Sequence, residues 1–100
     1  MNEGFNKNIN LVLEIAEECV SNFRIGDEAK GFEKLVEFVD AMQILLKSFA
    51  QIQMDDEVKG YISKLNNLLL QIIDAMSSKD SVLISDIMEY ELIPMLMPLK

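Results

Sequence analysis

Cys19 is the strongest nucleophile in the chain, and a thiol attacks only as a thiolate held beside a base. The sequence has no histidine, so no imidazole can activate Cys19, complete a Ser-His-acid triad or ligate a metal. Cys19 also falls on one apolar seam with Ala16 and Phe23, the position of a core cysteine. Ser21, Ser48, Ser63, Ser77, Ser78, Ser81 and Ser85 fall on polar faces or at helix ends.

Carboxylates are abundant, with 17 acids against 9 bases and a formal charge of −8. Di-iron helical bundles need Glu-x-x-His on inward faces, which this chain cannot supply. Glu14, Glu17 and Glu18 fall on a polar arc, and Asp55-Asp56-Glu57 lacks the twelve-residue loop with a central glycine that calcium requires. Gly4, Gly26, Gly31 and Gly60 are isolated and make no phosphate loop. Asp80-Ser81-Val82 is similar to the Asp-Ser-Leu motif that carries phosphopantetheine in acyl carrier proteins. That serine sits mid-chain with two helices after it, whereas only 19 residues follow Ser81; Asp80 and Ser81 read better as a helix cap. No catalytic residue, cofactor or metal is expected, with a carrier or carboxylate-metal protein as the remote alternative.

The elements that position these residues are helices. Phe5, Ile9, Val12, Ala16, Cys19 and Phe23 recur at alternating steps of three and four. So do Phe32, Leu35, Val39, Met42, Leu46 and Phe49, and again Val58, Ile62, Leu65, Leu69, Ile72 and Met76. With Leu11, Leu13, Ile15 and Val20 the first segment's apolar arc widens to about 200°, which suits a helix with two neighbours. Gly26 ends the first helix in a left-handed cap, Asp27-Glu28 opens the second and Asp55-Asp56-Glu57 the third. Ser78 or Asp80 caps a fourth, whose face is Leu83, Ile84, Ile87 and Tyr90. Pro94 is expected to stop or kink it near residue 92. The echo of Val39-Asp40-Ala41-Met42 in Ile73-Asp74-Ala75-Met76 joins equivalent turns of two long helices and does not make a helical repeat. The expected fold is all-α: residues 1–100 form a single antiparallel up-down bundle of three long helices plus a shorter, proline-terminated fourth.

The nine bases are scattered and the surface is acidic, so nucleic acid and anionic membranes are not expected partners. No signal peptide or bilayer-spanning run is present, and one lone cysteine suits a reducing interior; the expectation is a cytoplasmic protein. The stretch Asp86-Ile87-Met88-Glu89-Tyr90-Glu91-Leu92-Ile93-Pro94-Met95-Leu96 resembles the closing segment of small uncharacterised helical proteins from Firmicutes, the likeness extending over residues 65–97. It implies a helical domain of unknown function without catalytic residues. In size and acidity the chain is also similar to bacterial flagellar and type III export chaperones, acidic bundles that shield a client's amphipathic helix.

Apolar residues outside the seams are the remaining clue. Ile44, Leu45, Leu70, Met88, Leu92, Ile93, Met95, Leu96 and Met97 are the candidate interaction residues, and seven methionines add adaptable surface. The expectation is a non-enzymatic protein-interaction module, an adaptor or export-chaperone-like domain binding an amphipathic helix through helices two to four. The alternative is a homodimer with no client.

Overall fold

The computed structural model describes residues 3–51 and 55–100; Met1 and Met54, two of the seven methionines, lie outside the described residues. Helix α1 spans Glu3–Arg24, α2 Glu28–Phe49 and α3 Asp56–Ser77. Helix α4, Ser81–Ile87, runs on through a π-helical turn at Met88–Leu92 into α5, Ile93–Leu96, and a final 3₁₀ turn at Met97–Leu99.

Local chemistry fixes each boundary. Gly26 adopts φ +87°, which lets its N–H reach the Phe23 carbonyl at 3.1 Å and the Asp27 N–H reach Asn22 at 2.9 Å. This double closure satisfies carbonyls that α1 leaves without donors. Lys79 repeats it at φ 56° without the freedom of glycine, with Lys79 N–H on Met76 and Asp80 N–H on Ala75. Three aspartates then cap the following helices. Asp27 accepts from the Lys30 N–H, Asp55 from Val58 and Asp80 from Leu83, at 3.1, 2.8 and 3.1 Å. Each satisfies an orphan donor and puts negative charge at the positive end of a helix dipole.

The helices alternate in direction around a square. Asn8–Ser48, Phe5–Phe49, Glu18–Lys34 and Phe23–Phe32 all join α1 to α2, early residue to late. Phe49–Tyr61 joins α2 to α3, Tyr61 donates to the Met95 carbonyl, and Arg24 on α1 meets Asp86 on α4 at 3.0 Å. The result measures 41 × 23 × 19 Å, the length of a 22-residue helix plus its caps. The first seam is buried as its spacing predicts.

The second seam is displaced by part of a turn from its expected register. Gly31, Leu35, Phe38, Ala41, Met42, Leu45 and Phe49 are its buried residues, while Phe32, Val39 and Leu46 are only half-buried. Helix α2 turns its centre toward α1, where Gly31 lets Phe23 approach, and this carries Leu45 to the core and leaves Phe32, Val39 and Leu46 half-buried at its edge.

The fourth helix departs most. Leu83 and Tyr90 are exposed, and the buried row is Ile84, Ile87, Met88, Leu92 and Leu96. A four-residue step in an α-helix overshoots a full turn by about 40°. A π turn is wider and undershoots, so the turn at Met88–Leu92 takes the drift back and keeps Ile84, Met88, Leu92 and Leu96 on one face. The helix also does not stop at residue 92. The Ile93 N–H donates to Met88, five residues back. Pro94 falls in the first turn of α5, where its missing donor and fixed φ are tolerated. The tail therefore closes onto the bundle: Leu96 is fully buried, and Met95 and Leu99 are half-buried against the core.

Candidate interaction surface

The candidate interaction residues do not form one patch. Leu45, Met88, Leu92 and Leu96 are wholly buried in the chain's own core, because the α2 register and the π turn point them inward; they have no surface to offer a partner. Ile93 and Met95 are half-buried beside them. Ile44, Leu70 and Met97 are exposed, on three different sides of the bundle. Ile44 lies one turn before Ser48, whose hydroxyl accepts from Asn8 of α1, so it edges the α1–α2 seam. The side of α3 that meets the α4 continuation is marked by Tyr61, Lys64 and Leu68. Leu70 is about 200° round the helix from Leu68 and so faces the other way, along α2.

Around Leu70 the structure assembles a surface that seam-counting misses. Phe32, Val36, Val39, Gln43 and Leu46 follow one another at helical spacing on α2. Ile62, Asn66, Leu70, Ile73 and Ser77 do so on the facing side of α3. Phe32, Val39, Leu46, Ile62 and Ile73 are half-buried against the core, whereas Val36 and Leu70 are 52% and 54% exposed. No charged residue interrupts either row. Charge depletion over an apolar strip about four turns long is the composition of an interface core. The signal was present in the sequence as two uncharged rows, one on each helix.

The other sides are ionic. Arg24 bridges Asp86 at 3.0 Å and Glu89 at 3.6 Å, and the hydrogen bond to Asp86, followed by the field of both carboxylates, raises its pKa. Lys34 joins Glu18 at 3.1 Å and Glu37 at 3.4 Å, and those two hydrogen bonds raise its pKa. Two open depressions flank the α4 continuation. One, about 470 Å³, has Glu17, Arg24 and Glu89 on its walls, and the other, about 420 Å³, has Lys64, Gln71 and Glu91. Both are shallow and mixed in polarity, unlike a closed apolar ligand pocket.

Cys19 is fully buried, and burial first, then the nearby charges of Glu18 and Glu37, pushes its pKa up to about 12. It is a core thiol at neutral pH. Among the described residues no group of three or more Cys, Asp or Glu side chains is placed to hold a metal ion. No helix there is long and apolar enough to cross a membrane.

The family model described as Domain of unknown function (DUF8042) matches residues 3–100. The chain belongs to this family. It is an uncharacterised all-helical domain, as the closing segment 86–96 implied. No curated protein and no solved structure matches the chain.

Proposed function

We propose that this member of the family is a non-enzymatic protein-interaction module that docks an apolar helix face of another chain along the α2–α3 strip. The observation that carries the reading is the pair of uncharged rows from Phe32 to Leu46 and Ile62 to Ser77, with Val36 and Leu70 half-exposed at their centre. Apolar anchors there supply affinity, and the acids on the other sides disfavour nucleic acid and anionic lipid. Such a strip would serve an adaptor, or a shield for a client's amphipathic helix in the manner of an export chaperone, working in a reducing cytoplasm where Cys19 stays a thiol.

Placing a photo-crosslinking amino acid at position 70, or at position 14 on the acidic side as the control, tests this in cells. The reading predicts a discrete protein adduct from position 70, none from position 14, and loss of the adduct on adding Val36→Asp. Equal adducts from both positions, or insensitivity to Val36→Asp, would overturn it.

A further inference from the structure

In a molecule that carries −8, the charges along the α2–α3 strip are ordered by sign. Four exposed charges frame its apolar strip: Asp40 and Lys47 on α2, Lys59 and Asp74 on α3. Asp40 is one turn from Val36, Lys47 one turn from Gln43, Asp74 one turn from Leu70 and Lys59 two turns from Asn66, so all four share that side. Two further acids border the same side, Glu33 one turn before Val36 on α2 and Asp56 at the first turn of α3 beside Lys59. Whereas Arg24 and Lys34 are committed to carboxylates of the same chain, these four side chains make no ion pair among the described residues.

Their order along the strip is polar. Both lysines lie toward the α2–α3 connection and both aspartates toward the opposite end. Phe49 and Tyr61, whose rings are 6.0 Å apart, set the level at which the two antiparallel helices run. At that register the midpoint of Asp40 and Lys47 on α2 is level with the midpoint of Lys59 and Asp74 on α3. Gln43 and Asn66, two uncharged amides, occupy that midpoint.

From this arrangement we infer that the strip pairs with a second copy of itself, about a two-fold axis that crosses both helices at the level of Gln43 and Asn66. The inference rests on the protein-interaction reading above and names its partner. A two-fold lying in the plane of the interface and perpendicular to the helices sets α2 against α2 and α3 against α3 of the other copy, and exchanges the ends of the strip. Lys47 and Lys59 of each copy then lie over the aspartate end of the other. Val39 and Leu70 lie close to the other copy's Leu46 and Ile62. Two acidic molecules thereby meet with Lys47 and Lys59 of each copy set against Asp40 and Asp74 of the other, not against like charges.

Sedimentation equilibrium over a concentration series tests this. The wild-type chain is expected to reach twice its 11.4 kDa mass, and to dissociate more readily as salt screens the rim pairs. Lys47→Glu with Lys59→Glu makes both ends acidic, and Asp40→Lys with Asp74→Lys makes both basic. Each variant alone should self-associate about tenfold more weakly or worse, while an equimolar mixture should restore a heterodimer. These positions are exposed, and circular dichroism confirms that the helices persist. A dimer strengthened by salt, or a mixture that fails to associate, would overturn the inference. A monomer at every concentration would overturn it too, yet would leave the broader reading standing if position 70 still crosslinked to another protein.

Discussion

Replacing Gly31 with alanine sets two effects of similar size against each other, and the structure says which wins. Alanine is favoured over glycine inside a helix by about 1 kcal/mol. At Gly31, however, a Cβ would lie 2.5 Å from both Cδ1 and Cε1 of Phe23 and 2.9 Å from Cζ. The ring cannot simply swing away, since Phe23 is buried and packs edge-on against Phe32 at 5.0 Å. Overpacking of this kind costs about 1–3 kcal/mol, so Gly31→Ala should be neutral to destabilising by about 2 kcal/mol. Gly60 supplies the control, because a Cβ there meets nothing within 4 Å and Gly60→Ala should stabilise by up to about 1 kcal/mol. The two substitutions are chemically identical, so their difference reports the Phe23 contact. Urea unfolding gives both values, and in a domain of this size each kcal/mol moves the thermal midpoint by about 4–8 °C. Adding Phe23→Leu to Gly31→Ala should recover part of the loss, as a coupling of about 1 kcal/mol. Equal stabilisation by Gly31→Ala and Gly60→Ala would refute the close approach of α1 and α2 at this glycine.

Three further outcomes follow from the packing and the charges. Leu92→Ala should cost about 2–5 kcal/mol, because Leu92 is wholly buried under the π turn; Leu70→Ala should change monomer stability by less than about 0.5 kcal/mol. In Cys19 the folded state holds the proton to about pH 12 while the unfolded chain releases it near 9.0, so this contribution to stability is whole below pH 9 and is lost as pH rises from 9 to 12. The urea midpoint of wild type should therefore fall more steeply than that of Cys19→Ala between pH 8 and 10.5, and a thiol reagent should label Cys19 only on unfolding. Lys79→Gly should stabilise by about 0.5–1 kcal/mol by relieving a left-handed backbone at φ 56°, read from the same urea curves.

Much of this architecture is legible in the residues, and the exceptions share a cause. Alternating three- and four-residue spacing locates α1, α2 and α3, and Gly26, Asp27, Asp55 and Asp80 mark the breaks, because seams and caps are local chemistry. Spacing defines an arc and does not say which side of it faces which neighbour. On α2 the close contact at Gly31 decides this, exchanging Val39 and Leu46 for Phe38 and Leu45 at the core. On α4 an assumed 3.6-residue period is wrong where the π turn lies, so Leu92 and Leu96 look like surplus and are core. The same error hides the candidate surface. Leu70 is visible as an off-seam leucine, but its companions Val36, Val39 and Ile73 gain meaning only once α2 and α3 stand side by side.

The central claim is that the α2–α3 strip is where this domain meets a second copy of itself. Methyl resonances recorded across a dilution series test it most directly, since each methyl reports its own surroundings. The account predicts that Val36, Val39, Ile62, Leu70 and Ile73 shift together with concentration while Leu11, Val82 and Leu83, exposed on other sides, stay fixed. Shifts confined to the latter group, or none at all while the chain sediments as a dimer, would contradict it.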